Sequence, residues 1–261
     1  MTALIKTFKN VIFIALIGII SFVISGVILK LFVGIDADLR IIVSYSVPII
    51  LMLIGVTIYD RLACRRVQPT MWSIRGLDPM RMLCNVLLLV SVSIVLSPLM
   101  RLLPAVNQDV PNGVWAVVTM VFVAPIFEEL LFRSKVFSIF RSYLSPSLSA
   151  VMTSAIFAVM HGELAVAIEA FIAGMIFSYA YIASKSILAP MMLHIFNNII
   201  AYVLINFEYQ DRTIVDYIGA LRFFDIIYAI SFIIMIIGFI MLFTTFRRSD
   251  RIARGYIQVD N

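Results

Sequence analysis

Long apolar segments, each close to the length that crosses a lipid bilayer, recur along the whole chain. A membrane-spanning helix needs about 20 mostly apolar residues to cross roughly 30 Å of hydrocarbon. Eight segments approach this length, at approximately 10–31, 41–59, 82–103, 114–140, 147–161, 164–184, 187–205 and 223–246. They predict an all-α fold, a polytopic transmembrane helical bundle with about eight spans.

The composition excludes an ordinary soluble domain, because 62% of the residues are hydrophobic, only 13% are charged, and the mean hydropathy is +1.06. The fifth segment is the weakest of the eight. It is short for a span, and only Gly162 and Glu163 separate it from the sixth. A seven-span arrangement therefore stays open. No linker divides the chain, so residues 1–261 are expected to form one transmembrane domain.

The distribution of basic residues predicts the orientation, because loops rich in Lys and Arg stay in the cytoplasm. With eight spans and both termini cytoplasmic, fifteen of the twenty cations fall on the inner side. These are Lys6, Lys9, Arg61, Arg65, Arg66, Arg75, Arg81, Arg133, Lys135, Arg141, Lys185, Arg247, Arg248, Arg251 and Arg254. Attraction to anionic lipid explains the net charge of +5, and no nucleic-acid partner is indicated. The expected location is the cell membrane.

Two adjacent carboxylates lie inside the fourth segment, at Glu128 and Glu129, where an ionisable residue is costly and therefore a functional candidate. Neighbouring helical residues point about 100° apart, so the two should have different roles. Glu129 and Arg133 are spaced i and i+4 and can form a structural ion pair. Glu128 has no such partner on its own helix, and a lone carboxylate in a poorly hydrated cavity suits a general base.

The only two histidines, His161 and His194, both lie in otherwise apolar stretches. His194 and Asn198 share one helical face, where both side chains could donate to a developing oxyanion. Phe157 shares a face with His161 and is expected to pack beside its ring. A single intramembrane His or Asn is more often interhelical glue, but the combination fits water activation with oxyanion stabilisation, or a metal site.

A small-residue stripe in the sixth segment, at Ala170, Gly174 and Ser178, lets another helix approach closely. Packing within the bundle is the simpler interpretation, and a dimer interface is the alternative. The sequence does not decide between them, and it leaves the oligomeric state unknown.

Three ordered motifs resemble those of the CPBP family, also called Abi: Glu128-Glu129-x-x-x-Arg133, Phe157-x-x-x-His161 and His194-x-x-x-Asn198. The family includes the eukaryotic Ras-converting CAAX endopeptidase and bacterial relatives linked to bacteriocin immunity. The motifs lie in a core of about residues 114–205.

The resemblance implies an intramembrane endopeptidase in which Glu128 and His161 activate water while His194 and Asn198 form an oxyanion hole. The substrate would be a membrane-associated peptide or protein, of CAAX type or of leader or bacteriocin type. The family is often labelled metalloprotease, so zinc held by His161, His194 and Glu128 stays open. Metal-free catalysis without a cofactor is favoured, because zinc would leave Asn198 without a direct role.

Two noncatalytic functions remain as alternatives, a membrane scaffold or self-immunity factor of the same fold and, less favoured, a small-solute transporter. Depth along the helices places Glu128 and His194 in the inner half of the membrane, with His161 offset by about 10 Å. These depths predict a cavity that opens to the cytoplasm.

Overall fold

The computed structural model describes residues 2–32, 34–63, 72–100, 102–103, 113–206 and 224–257. Within these ranges the chain forms eight long helices and no β-strand, which confirms the predicted all-α helical bundle. The helices are α1 (Ala3–Leu29), α2 (Ala37–Leu62), α3 (Pro79–Met100), α4 (Val114–Arg141), α5 (Pro146–Val159), α6 (Leu164–Ser184), α7 (Leu188–Asn206) and α8 (Phe224–Ile257).

Six of the described helices are long and apolar enough to cross a membrane, namely α1, α2, α3, α4, α6 and α8. The two others, α5 and α7, are shorter apolar helices. Each predicted segment thus contains a helix, but the expected eight full-length spans are reduced to six by this criterion. The fifth predicted segment differs most, because α5 has only 14 residues and ends at Val159. At 1.5 Å per residue it extends about 21 Å.

One end of the bundle, which we call the basic end, brings together the start of α1, the end of α2 and the α4–α5 turn. Asn10 Nδ2 donates to the Tyr143 hydroxyl at 3.0 Å, and the Tyr59 hydroxyl donates to Asn10 Oδ1 at 2.6 Å. The start of α5 meets the end of α8, where Ser147 N donates to Asp250 Oδ1 at 3.0 Å. The helices therefore alternate in direction.

At the opposite end of the bundle, α2 and α4 begin side by side. The Asp38 carboxylate accepts hydrogen bonds from the backbone N–H groups of Trp115, at 3.1 Å, and Ala116, at 3.0 Å. These groups belong to the first turn of α4, where N–H groups have no partner within the helix. Gly113 permits the approach, since a Cβ there would fall 2.0 Å from Asp38 Cγ. Asp38 thus fixes the two helix starts together.

The small-residue stripe of α6 is buried within the bundle, as the packing interpretation expects. Ala170, Gly174 and Ser178 are all buried, and a Cβ added to Gly174 would meet the Ser154 side chain of α5 at 3.0 Å. The close packing of α5 on α6 therefore occupies this stripe, and the alternative of a dimer interface there is wrong.

Candidate functional site

Helix α4 carries the two adjacent carboxylates on an irregular backbone. Wider π-helical turns at Thr119–Val123 and Leu130–Val136 flank the regular segment Ala124–Glu129. Single π-helical turns inside α-helices occur often at functional sites, because each one rotates the side chains that follow. The two carboxylates thus lie where the helix is most distorted.

Glu129 is fully buried and joins α4 to α7. Its Oε1 accepts hydrogen bonds from Arg133 Nη1 at 3.0 Å and from His194 Nδ1 at 2.9 Å. Arg133 is also fully buried, and its Nη2 donates to the Gly174 carbonyl of α6 at 3.0 Å. The ion pair expected between Glu129 and Arg133 is therefore present. The contact with His194 is one that the motifs do not predict, because it links residues that are 65 positions apart.

Two phenylalanines enclose the Arg133 guanidinium and the His194 ring. The guanidinium lies 4.9 Å from the Phe157 ring centroid and 5.3 Å from that of Phe177. His194 stacks on Phe177 at 4.8 Å and meets Phe157 edge-on at 5.8 Å. Cations bind favourably to the faces of aromatic rings when desolvated. The enclosure therefore stabilises the buried charge and restricts His194 to one ring orientation.

Glu128 points away from this buried pair and contacts two other helices. Its Oε1 accepts a hydrogen bond from the Tyr45 hydroxyl of α2. Its Oε2 lies 3.6 Å from His194 Nε2. The two neighbouring carboxylates thus flank the same imidazole, with Glu129 at Nδ1 and Glu128 facing Nε2.

His161 lies in the turn between α5 and α6, beyond the end of α5 at Val159. Its Nδ1 is 2.8 Å from the Phe157 carbonyl, and the two rings meet edge-on at 4.6 Å, which is the packing expected of this pair. A carbonyl only accepts, so Nδ1 carries a proton and Nε2 of the neutral ring keeps its lone pair. Gly162 follows with a φ of +76°, a conformation that suits glycine and turns the chain back into α6.

Asn198 donates from Nδ2 to the Met120 carbonyl of α4 at 2.8 Å. In the π-helical turn the Ala124 N–H bonds to the Thr119 carbonyl, so the next carbonyl in this pattern, that of Met120, would need the N–H of residue 125. Residue 125 is proline, which has no N–H. Asn198 supplies the missing donor with one of its two N–H bonds, so only the second remains for an oxyanion.

A mostly apolar cavity of about 530 Å³ lies beside these residues. Three predicted catalytic residues, Glu128, His161 and Asn198, line it together, whereas His194 does not. The lining side chains include Gly18, Ser21, Ile41, Ser44, Tyr45, Met52, Ala116, Met120, Phe132, Phe157 and Tyr202. The structure thus brings the predicted residues to one place, and the expected 10 Å offset of His161 does not separate it from the site.

The position of the cavity along the bundle bears on the side from which it opens. Its α2 and α4 walls begin at Ile41 and Ala116, within the first five residues of those helices, so the cavity reaches into the half of the bundle opposite the basic end. Depth along the helices alone predicts a cytoplasmic opening. Depth neglects helix tilt, and it neglects that helical side chains lean towards the N-terminus of their helix, which moves Glu128 away from the basic end.

The suggested zinc ligands do not form a metal-binding group. Among the described residues, no cluster of three or more His, Cys, Asp or Glu side chains is arranged to hold a metal ion. His194 Nδ1 is engaged by Glu129 and His161 Nδ1 by Phe157. A zinc-bound histidine commonly makes such contacts through its second ring nitrogen, so they do not argue against zinc; the three suggested ligands are simply not grouped as a metal site.

Tyr45 and Phe177 are site residues that the motifs miss. Tyr45 lies 83 residues before its partner Glu128, and no spacing rule links a tyrosine of α2 to a carboxylate of α4. Phe177 is one of many aromatic residues in apolar helices. The sequence gives one weak indication that Tyr45 has a role, which is its polar hydroxyl inside a predicted membrane span.

Comparison with protein families identifies the family whose motifs this set of residues resembles. Residues 110–200 match the Rce1-like family, described as type II CAAX prenyl endopeptidases. The resemblance is confirmed. The matched region runs from the start of α4 into α7 and contains all three motifs. The Rce1-like family is a protease family, which supports hydrolase chemistry at that level in a multi-pass membrane protein.

Among curated proteins, an uncharacterized 24.3 kDa protein of Escherichia coli is 33% identical over 93 residues. The aligned part is 34% of this chain and 43% of that protein, so the chain spans less than half the length of this curated relative. No solved structure matches the chain.

Proposed function

We propose that the chain is an intramembrane endopeptidase that hydrolyses a peptide bond of a membrane-associated peptide or protein. The observation that carries the proposal is that Glu128, His161 and Asn198, from three different parts of the bundle, line one cavity. A carboxylate, an imidazole and a carboxamide at one apolar cavity provide a base and a donor for acyl chemistry. The match to Rce1-like proteases supports the same reaction class.

Glu128 is the proposed general base. It accepts a proton from water while the water oxygen attacks the scissile carbonyl carbon, and the proton then passes to the departing amine as the C–N bond breaks. His161 assists through Nε2, because its Nδ1 proton is held by the Phe157 carbonyl. The Tyr45 hydroxyl holds the other side of the carboxylate in place.

Asn198 and His194 are the proposed oxyanion donors; Asn198 lines the cavity, whereas His194 does not line it and could act only through Nε2, which faces Glu128. Asn198 offers the N–H that Met120 does not use. For His194, the Glu129 carboxylate paired with Arg133 can only accept, so Nδ1 carries a proton. Nε2 can therefore donate only if the ring carries a proton on both nitrogens. The proposed mechanism needs neither zinc nor another cofactor.

The test is cleavage of a panel of membrane-associated peptides by the purified protein in liposomes. Glu128→Gln should lower the cleavage rate by at least about 100-fold, because the amide cannot take a proton from water. Glu163→Gln, an exposed acid in the α5–α6 turn, is the matched control and should retain the rate.

Cleavage by Glu128→Gln at the rate of the unchanged chain would contradict the proposal and favour a scaffold or immunity role. Metal analysis and dialysis against a chelator test the metal-free mechanism. Loss of activity on chelation, with recovery on added zinc, would replace it with a metalloprotease mechanism.

A further inference from the structure

The cavity at Glu128 is closed towards the basic end of the bundle. Its α2 wall ends at Met52 and its α4 wall at Phe132. Beyond them lies a packed layer of buried apolar side chains from α1, α2 and α4, comprising Ile14, Val56, Val136, Ile139 and Phe140. The hydrogen bonds of Asn10 with Tyr59 and Tyr143 cross the bundle beneath that layer. A peptide cannot reach Glu128 through this layer without unpacking it.

Towards the opposite end the cavity reaches the start of two helices. Ile41 is within five residues of the start of α2, and Ala116 is within three of the start of α4. Ser44, which also lines the cavity, is exposed. Among the described residues, access to Glu128 is therefore from the half of the bundle that contains Asp38.

The charge of the two ends gives them an orientation in the membrane. The described residues near the basic end include the cations Lys6, Lys9, Arg61, Arg75, Arg81, Arg141, Lys185, Arg247, Arg248 and Arg251, beside the acids Asp60, Asp78 and Asp250. Near the opposite end, the described residues contain Lys30 and Arg40, beside Asp36 and Asp38. Segments rich in Lys and Arg remain in the cytoplasm. The basic end is therefore the cytoplasmic end.

We infer that the site is reached from the extracytoplasmic side of the membrane, so that its substrates are polypeptides whose scissile bond lies in or beside the outer leaflet. The statement about substrates rests on the proposed peptidase function. The orientation of the cavity does not depend on that function. A mostly apolar cavity with polar groups at one wall fits an apolar extended segment. A soluble cytoplasmic C-terminal tail faces the packed layer and is excluded from the site.

Cysteine accessibility in intact cells tests the orientation without any need for activity. The full chain with Cys64→Ser and Cys84→Ser receives one new cysteine at a time. Gly34→Cys reports the opposite end, because this glycine is exposed and, apart from its chain neighbours, none of the described residues lies within 4 Å of the position that a Cβ would take. Thr2→Cys reports the basic end, and Ser44→Cys reports the cavity. Each variant is exposed to a membrane-impermeant maleimide before and after permeabilisation.

Labelling of Gly34→Cys in intact cells should exceed that of Thr2→Cys at least tenfold, and permeabilisation should make the two equal. Labelling of Thr2→Cys in intact cells, or failure of Gly34→Cys to label there, overturns the inference. Ser44→Cys should follow Gly34→Cys, and labelling of Ser44→Cys only after permeabilisation would also overturn it. None of these results depends on cleavage, so an inactive protein with the expected labelling would reject the peptidase function alone.

Discussion

At the scale of single residues, two neighbouring carboxylates differ because their partners differ. Glu129 receives hydrogen bonds from Arg133 and His194 within the protein core, whereas Glu128 faces a cavity and receives one from Tyr45. A carboxylate that is buried against an arginine has a structural use. A carboxylate that lines a cavity can reach a bound water molecule and exchange a proton with it.

Tyr45→Phe should lower kcat of peptide cleavage by roughly tenfold, because Glu128 loses the hydrogen bond that holds it towards the cavity. The side chain keeps its volume, so KM should change little. The measurement is the steady-state rate across a range of pH. Since Tyr45 acts through Glu128, the pH at which the rate is half-maximal should also move. An unchanged pH profile together with an unchanged kcat would show that Tyr45 has only a packing role.

Glu129→Gln should destabilise the protein by about 3–5 kcal/mol, because it leaves the fully buried Arg133 without a counter-charge. The measurement is the thermal unfolding midpoint in detergent. Asp78→Asn is the control, since it breaks an ion pair with Arg81 that has the same chemistry but is exposed to solvent. Exposed pairs contribute about 1 kcal/mol at most. Equal midpoints for the two variants would contradict the structural role of Glu129.

At the scale of helices, the irregularity of α4 depends on a side chain from α7. The π-helical turn and Pro125 together leave the Met120 carbonyl without a backbone donor, and Asn198 replaces that donor. The same asparagine lines the cavity, so the local shape of α4 and the proposed oxyanion site are coupled.

Asn198→Ala should therefore reduce stability as well as activity. A carbonyl left without its partner in the protein interior costs about 1–3 kcal/mol, which thermal unfolding detects. The adjacent Asn197→Ala is the matched control, because it removes the same group from the same helix without disturbing Met120. If Asn198→Ala unfolds at the same temperature as Asn197→Ala, the Met120 contact does not support α4.

The sequence predicts helices and local pairs well and distant contacts poorly. Glu129 and Arg133 are one helical turn apart, so a single spacing rule finds their ion pair. Hydropathy also finds all eight helices, because it too depends only on residues that are close together in the sequence. The contact between Glu128 and Tyr45 depends on how α2 packs against α4, and no local sequence pattern contains that information. Hydropathy also misses the end of α5 at Val159, because the apolar run continues through Met160.

At the scale of the whole molecule, the alternating direction of the helices is predictable from the sequence. The half of the bundle into which the cavity opens is not. Charge separation predicts the basic end, and the contacts of Asn10, Tyr143 and Asp250 place the corresponding helix ends together. The cavity side depends on tilt and side-chain direction, each of which shifts a group by several ångströms. Those shifts are as large as the depth differences along the helices from which a cytoplasmic opening is predicted.

The rate of peptide cleavage should depend on the acyl-chain length of the surrounding lipid. Because α5 extends only about 21 Å, it does not match roughly 30 Å of hydrocarbon, and a thinner bilayer reduces the difference. Cleavage in liposomes of 14-carbon lipids should be faster, by about twofold to tenfold, than in 20-carbon lipids of the same headgroup. Equal rates, with equal folded protein in both lipids, would show that bilayer thickness does not limit the reaction.

The short α5 should also change the membrane around the protein. A helix of about 21 Å that starts at one boundary of the hydrocarbon does not reach the other, so we expect the turn at Met160–Glu163 to end below the outer headgroups. Lipids beside the turn would then tilt or dip to cover it, which would bring headgroups and water closer to His161. On this expectation, the surrounding lipid itself helps to deliver the hydrolytic water.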